Sequence, residues 1–377
     1  MQDQRLVSLD FFRGFTVAAM ILVNNPGSWD SVYSPLLHAH WNGCTPTDLI
    51  FPFFLFIVGV SIHFAYRNKK SEGLAKRNVK KIIKRALTIF LLGMLLTWYT
   101  LPPGLMFDAE RLSTLRIPGV LQRISIVFLF CALIYLKTGW LTQIRIATVL
   151  LLCYYILMTW VPVPDFGPAN LEPGTNLAAW LDRWLLGGHL WAQSKTWDPE
   201  GVLSTLPAIA TGLLGILTGQ LFDAIKNPAE RVTWIFLLGG ILILAGLSFD
   251  LAFPINKSLW TSSYVLYCGG LAMLALAASH WLIDIREHRS WTKPFLYFGV
   301  NAIFAFVTSG LLAKTLLRTT LTAGSGETYS LWSYLYHQLY ASWLAPRIAS
   351  LLFALTLVVI FYFVLRWMYY RKIFIKV

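Results

Sequence analysis

The segment TDLIFPFFLFIVGVSIHFAY, residues 47–66, decides the fold. It carries one carboxylate near its start and one histidine near its end, and it is otherwise almost wholly apolar or aromatic. A helix needs about 20 predominantly apolar residues to cross the hydrocarbon core of a bilayer. The segment therefore predicts a transmembrane helix.

The rest of the chain has a similar composition. The 377 residues are 56% hydrophobic and only 13% charged, whereas soluble domains are about 25% charged. Ten segments are long and apolar enough to span a membrane: 7–25, 47–66, 84–101, 117–137, 144–162, 202–222, 232–251, 260–282, 295–316 and 348–369. We expect an all-α polytopic membrane protein of about ten transmembrane helices, forming one domain over residues 1–377.

The positive charge follows the pattern of membrane topology. The net charge is +13, but nine lysines and arginines lie in the loop 67–85 alone, which places that loop on the cytoplasmic side. Ten spans then leave both termini cytoplasmic and turn the loops before residue 47 and over 163–201 outward. We expect no nucleic-acid partner, and no Cys/His spacing matches a metal site.

Polar residues inside the first predicted span form a stripe. At 100° per residue, Arg13 and Asn24 point within about 20° of each other, with Asp10 near them, over about 20 Å of helix. Ionisable side chains in spans mark either function or a structural pair. An Asp10–Arg13 ion pair is the structural alternative, but it does not explain Asn24.

Two further spans carry polar residues. Arg116 and Arg123 share one face of the fourth span, and two guanidiniums suit an anionic ligand. Arg116 can instead extend to the membrane interface, while the deeper Arg123 favours function. Asn301 suits an interhelical hydrogen bond and a ligand contact equally.

The loop before the opening segment, LLHAHWNGCTPTDL, combines histidines with a helix start. Thr45, Pro46 and Asp48 fit a capped helix N-terminus, which by itself explains Asp48. His38 has no capping role, and an imidazole can accept a proton near neutral pH. These residues also fit the pore of a proton-coupled transporter.

Six blocks of sequence, in this order, resemble one family: RLVSLDFFRGFTVAAMILVNNPG, HAHWNGCTPTDLIFPFFLFIVGVSI, RIPGVLQR, WDPEGVLSTLPAI, FPINKSLWTSSYV and RKIFIKV. The family is the heparan-α-glucosaminide N-acetyltransferases, some of whose bacterial relatives are regarded as N-acetylglucosamine transporters. The resemblance implies transfer of acetyl from cytoplasmic acetyl-CoA to the amine of a glucosamine-type sugar across the cell membrane. It also implies the lipid bilayer as setting and a homodimer as partner. The acceptor stays open among glucosamine, a heparin fragment and a cell-wall amino sugar, and an amino-sugar transporter remains the alternative function.

The resemblance assigns the active-site histidine to His38 rather than His40. We expect His38 to be the general base, with Asp48 orienting its ring and Asn24 stabilising the tetrahedral oxyanion together with donors near Trp41 and Asn42. A covalent acetyl-imidazole on the histidine is the rival mechanism.

The remaining site residues are expected to contact one of the two substrates. The expected contacts of acetyl-CoA are Asp10, Arg13, Arg116, Gln122, Arg123 and Asn301. Trp41, Asn42, Asp198 and Glu200 are expected to contact the sugar, although helix capping also explains Asp198.

Overall fold

The computed structural model of the protein describes residues 6–100, 108–322 and 328–375. Helices make up most of these residues, and two short strands, Thr320–Thr322 and Thr328–Ser330, pair antiparallel. The predicted all-α fold is confirmed. The described chain divides into two compact units.

The first unit contains the described residues of Met1–His38, Thr45–Phe51 and Leu282–Val377. Its helices are α1 (Val7–Asn24), α11 (Lys293–Val300), α12 (Ala302–Arg318), α13 (Leu331–Tyr336) and α14 (Pro346–Tyr370).

The second unit contains Ala39–Cys44 and the described residues of Pro52–Trp281. Its helices are α2 (Ile50–Tyr66, from Pro52 onward), α3 (Lys76–Trp98), α4 (Ala109–Ser113), α5 (Val120–Lys137), α6 (Trp140–Trp160), α7 (Leu177–Leu186), α8 (Thr205–Ala224), α9 (Pro228–Asp250) and α10 (Ser262–His280).

Eight helical segments in the described part of the chain are long and apolar enough to cross a membrane, and nine if α11 and α12 form one bent span. The predicted span 84–101 overlaps α3, which is not among them because lysines and arginines fill its first half. A polytopic membrane protein is thus confirmed, with a span count just below the predicted ten.

The predicted span 295–316 is broken at Asn301. Helices α11 and α12 meet there at 84°, and the Asn301 side chain binds the backbone of the C-terminal segment. Its Nδ2 donates to the Ile373 carbonyl at 3.1 Å, and its Oδ1 accepts from the Ile375 N–H at 2.9 Å. Asn301 therefore satisfies a chain segment that has no regular hydrogen-bonded structure of its own.

Helices α2 and α8 pack backbone to backbone through glycines. A Cβ atom added to Gly59 would collide with the carbonyl oxygen of Gly212, and one added to Gly215 would collide with that of Phe56. Small residues allow this close approach where no hydrophobic effect drives helices together in a bilayer.

Gly59→Ala should therefore destabilise the protein by roughly 1–3 kcal/mol, because a backbone neighbour cannot move aside as a side chain can. The matched control is Gly240→Ala in α9, where an added Cβ meets nothing within 4 Å and alanine is the better helix former. Thermal unfolding in detergent compares the two variants. Equal melting temperatures would show that the glycine contact is not required.

Candidate active site

The candidate site in the first unit is built on a capped helix N-terminus. Pro46–Leu49 is a short 3₁₀ helix that continues into α2. One carboxylate oxygen of Asp48, Oδ2, accepts the Thr45 N–H at 3.0 Å and lies 3.0 Å from the Thr45 hydroxyl oxygen. These contacts complete the capping box predicted from the sequence.

The other oxygen of the same carboxylate contacts His38. Asp48 Oδ1 lies 2.7 Å from His38 Nδ1. The Asp48 side chain is 1% exposed, whereas that of His38 is 48% exposed. Capping and orientation of the histidine were alternatives in the sequence, and the two oxygens allow Asp48 to make both contacts at once.

The short contact fixes which ring nitrogen of His38 carries hydrogen when the imidazole is neutral. An ionised carboxylate only accepts hydrogen bonds, so Nδ1 must donate to Asp48. Nε2 is then the basic nitrogen, on a ring that is half-exposed. This is the arrangement that a general base requires.

Two threonines tie the chain before His38 to the same helix start. The Thr45 hydroxyl also lies 2.7 Å from the Leu37 carbonyl oxygen, and the Thr47 hydroxyl donates to the Pro35 carbonyl at 3.0 Å. These bonds hold the backbone on which the imidazole is mounted.

The stripe predicted on α1 is divided in the structure. Arg13 Nη1 lies 3.0 Å from Asp10 Oδ1 and 3.5 Å from the Gly299 carbonyl oxygen, so the ion pair forms. Asn24 is exposed at the end of α1. Among the described residues, no hydrogen bond joins Asn24 to His38 or Asp48.

In the second unit, a different part of the chain holds the Trp41-Asn42-Gly43 turn. The Trp41 indole N–H donates to the Leu171 carbonyl at 3.0 Å, and Gly43 N–H donates to the Ile255 carbonyl at 2.7 Å. Both contacts fix the turn to segments that are distant in sequence.

Asn256 is a residue that the sequence reasoning missed. It is fully buried, and its Nδ2 donates to Asn42 Oδ1 at 3.1 Å while its Oδ1 accepts from Leu259 N–H at 2.9 Å. In the sequence, the only signal for Asn256 was its position in the FPINKS block, one of the blocks that carry the family resemblance. Asn256 supports the turn and uses the polar side chain of Asn42 to do so.

Arg116, which was predicted to contact acetyl-CoA, forms ion pairs with Asp198 and Glu200, the two acidic residues that were predicted to contact the sugar. Its Nε and Nη2 donate to the Asp198 carboxylate at 2.8 and 2.6 Å, and Nη2 also donates to Glu200 Oε2 at 2.5 Å. Burial opposes the charge of Arg116, but bonds to the two carboxylates outweigh it and raise the pKa of Arg116. The arginine is held by acids rather than extended to the interface. Asp198 also accepts the Glu200 N–H at 2.9 Å within a turn. The capping alternative is wrong, because α8 begins only at Thr205 with Ser204 as its N-cap.

Arg123 is buried beside this ion-pair network. It is 1% exposed, its Nη2 donates to the Gly201 carbonyl at 3.0 Å and to the Ser204 hydroxyl, and its guanidinium carbon lies 5.1 Å from the centre of the Trp260 ring. Its Nε and Nη1 have no hydrogen-bond acceptor among the described residues. A buried guanidinium with unused donors is costly unless an acceptor arrives.

Gln122 packs against glycine backbone. A Cβ added to Gly93 or to Gly119 would collide with its Oε1, and its Nε2 lies 3.6 Å from the Met94 sulfur. The side chain fills the space that these two glycines leave.

A second polar cluster also escaped the sequence reasoning. His63, near the end of α2, lies 3.0 Å from the Tyr135 hydroxyl through Nδ1 and 2.8 Å from Asp223 Oδ2 through Nε2. Arg67 donates to the same carboxylate at 2.9 Å. The sequence offered one signal for this cluster: His63 and Asp223 are ionisable residues, each near the end of an apolar run.

Asp182 in α7 has a perturbed acidity. Burial, reinforced by the charge of Asp198, raises the pKa of Asp182 from 3.8 to about 6, although Val202 N–H donates to its Oδ1 at 2.8 Å. The folded protein therefore binds this proton more tightly than the unfolded chain. The resulting stabilisation is complete below pH 3.8 and is lost as the pH rises through about 6.

Asp182→Asn should consequently flatten the pH dependence of stability. Between pH 5 and pH 8 the wild type should lose on the order of 1 kcal/mol more than the variant, since the amide never ionises. Melting temperatures across that range provide the measurement, with the exposed Asp165→Asn as control. Parallel pH profiles for wild type and Asp182→Asn would contradict the assignment.

The comparisons with known proteins agree with the sequence blocks. Residues 5–248 match the family described as "Heparan-alpha-glucosaminide N-acetyltransferase, catalytic". The mouse and human proteins named heparan-alpha-glucosaminide N-acetyltransferase are 28% and 29% identical to the chain, each over 80% of it. The chain spans about half the length of these relatives, 53% and 52% respectively.

Proposed function

The chain belongs to the heparan-alpha-glucosaminide N-acetyltransferase family, and from this premise we propose that it transfers acetyl from acetyl-CoA to the amine of a glucosamine-type sugar. The single observation that carries the proposal is the 2.7 Å contact between Asp48 and the half-exposed His38. The match with the family profile includes both residues. Acetyl transfer to a protonated amine needs a base, and this histidine can act as one.

The proposed reaction is a direct attack by the sugar amine. The amine nitrogen bonds to the thioester carbonyl carbon, and the carbon–sulfur bond breaks to release CoA. The ammonium group loses two protons in all: His38 Nε2 takes the first before the attack and passes it to water, and the second, lost after the attack, protonates the departing CoA thiolate. Asp48 stabilises the imidazolium that forms. Asn24, exposed at the end of α1, is our candidate donor to the tetrahedral oxyanion.

The chemistry of the reactants supports direct transfer over an acetyl-imidazole. A thioester is already an activated acyl group, so a deprotonated and oriented amine needs no covalent carrier. Holding the two reactants together supplies a large part of the rate enhancement. The role left for the protein is to position the amine and to remove its proton.

We also propose which side of the membrane each substrate comes from. Acetyl-CoA enters from the side of the basic segment that contains Arg67–Glu72, and His38 faces the opposite side of the cell membrane. Labelling of Cys44 by an impermeant thiol reagent in intact cells, with a cysteine introduced at Ser71 protected, would support this orientation. The reverse pattern would overturn it.

Turnover in detergent tests the function. Purified protein should release CoA thiol and form N-acetylglucosamine from acetyl-CoA and glucosamine without a vesicle or a gradient. N-acetylglucosamine, which has no amine to acetylate, should release no thiol. A heparin fragment and a cell-wall amino sugar with free amines identify the acceptor by their relative kcat/KM. Sugar uptake into vesicles combined with no acetyl transfer in detergent would identify a transporter instead.

Arg123 and Arg116 should have different effects on donor binding and on stability. Arg123→Gln should weaken acetyl-CoA binding about ten- to a hundredfold, because losing a charge-assisted hydrogen bond costs roughly 1.5–3 kcal/mol. Arg116→Gln leaves two poorly exposed carboxylates without their cation, so it should lower the melting temperature while donor affinity stays close to wild type. Isothermal titration with acetyl-CoA and thermal unfolding separate the two effects. Unchanged donor affinity in Arg123→Gln would make Arg123 a structural residue.

A further inference from the structure

Helix α3 has two opposite faces of different chemistry. Its buried residues recur at helical spacing and pack towards α5: Asn78, Ile82, Ala86, Ile89, Gly93 and Leu96. The opposite stripe, which we call the α3 stripe, is made of the residues Lys76, Lys80, Ile83, Lys84, Leu87 and Leu91, all exposed.

The α3 stripe changes from basic to apolar along the helix. Lys76, Lys80 and Lys84 follow one another at intervals of four residues, so their side chains cover about 12 Å of one face. The face then continues as Leu87 and Leu91, which are 56% and 62% exposed. Three cations followed by two large apolar side chains match a boundary between lipid headgroups and hydrocarbon.

Nothing in the described protein neutralises the three lysines. None of their ammonium groups forms a salt bridge in residues 6–100, 108–322 or 328–375. The acid nearest to them in sequence, Glu72, instead accepts a hydrogen bond from the Asn78 side chain at 3.0 Å. The cations are therefore available to an anionic group from outside the chain.

The surface is also shaped to hold a ligand. An open groove of about 670 Å³ runs along the stripe, lined by the three lysines and by Leu74, Val79, Ile83, Leu87 and Leu91. Its size is in the range of small-molecule sites, but it is open along its length. An elongated amphiphile fits such a groove better than a compact soluble molecule.

We propose that the α3 stripe binds one anionic phospholipid, with its phosphate against Lys76, Lys80 and Lys84 and an acyl chain along Leu87 and Leu91. The charge of the lysines selects an anionic headgroup. The exposed leucines select a lipid over a free phosphate, because a soluble anion gains nothing from them. This site is independent of acetyl transfer and uses no residue of the candidate active site.

Lipid titration of the purified full-length chain in a neutral detergent tests the site. Fluorescent phosphatidylglycerol should bind more tightly than phosphatidylcholine with the same acyl chains. Replacing all three lysines with glutamine should weaken phosphatidylglycerol binding roughly a hundredfold, at about fivefold per cation. The three corresponding lysine-to-arginine changes should retain binding, which separates loss of charge from loss of fold.

Matched controls determine whether the stripe or the net charge is responsible. The triple variant Lys137→Gln, Arg145→Gln and Lys226→Gln removes the same charge from exposed positions off α3 and should bind phosphatidylglycerol like wild type. Glycerol phosphate, the soluble headgroup alone, should not compete. Equal affinity for the two lipids, equal losses in the two triple variants, or full competition by glycerol phosphate would each overturn the proposal.

Discussion

His38→Ala is expected to lower acetyl transfer by about 10²–10⁴-fold, the usual contribution of a general base, while the protein stays folded and still binds acetyl-CoA. The sugar amine is largely protonated near neutral pH, and without the imidazole its proton has no acceptor. The imidazole ring is half-exposed, so truncating it removes little packing. Steady-state release of CoA thiol measures the loss, and titration with acetyl-CoA checks that donor binding survives.

His40→Ala is the matched control, because it removes another exposed imidazole two residues away. It should retain most of the activity. An inactive His40→Ala beside a nearly normal His38→Ala would move the base to the second histidine. Radiolabelled acetyl trapped on wild-type protein before acceptor is added, and absent in His38→Ala, would replace direct transfer by the acetyl-imidazole route.

Asp48→Asn should lower kcat by roughly 10²-fold or more, although the side chain keeps its size. The carboxylate accepts hydrogen bonds through both oxygens, from His38 and from Thr45, whereas an amide offers one acceptor and one donor group. If the amide NH₂ faces His38, the ring must carry its hydrogen on Nε2, which can then no longer act as the base. If it faces Thr45, the helix cap is lost.

The loss in Asp48→Asn should be kinetic rather than a loss of folded protein. A broken cap costs about 0.5–2 kcal/mol, which thermal unfolding detects, so kcat is measured well below the melting temperature. The exposed Asp30→Asn controls for removal of a nearby negative charge and should leave kcat unchanged. A kcat near wild type in Asp48→Asn would reduce Asp48 to its capping role.

The sequence predicted the features that depend on local pattern. The apolar runs gave the helices, and the spacing of Thr45, Pro46 and Asp48 gave the capping box, because both depend on neighbouring residues only. Neither pattern reveals that the two oxygens of one carboxylate face different partners. That follows from the course of the chain between His38 and Thr45.

Long-range contacts lay beyond the sequence. Arg116 meets Asp198 from 82 residues away, and Asn256 meets Asn42 from 214 residues away. No periodicity encodes such partners, so Arg116, Asp198 and Asn42 were predicted to contact ligands and Asn256 was not predicted at all. Asn301 is similar, because a polar residue in an apolar run predicts a partner without naming it. The sequence pattern could not indicate that the partner of Asn301 is the backbone of the C-terminal segment.

The clamp between Asn301 and the C-terminal segment bears on how the protein should be handled at the bench. A truncation that removes Ile375 would leave an amide oxygen without its partner at the 84° bend between α11 and α12. An affinity tag or fluorescent fusion attached close to Ile375 would lie next to that contact, so a long flexible spacer is advisable. A cleavable tag at this position leaves extra residues near the same bend. The melting temperatures of tagged and untagged preparations should therefore be compared before their activities are compared.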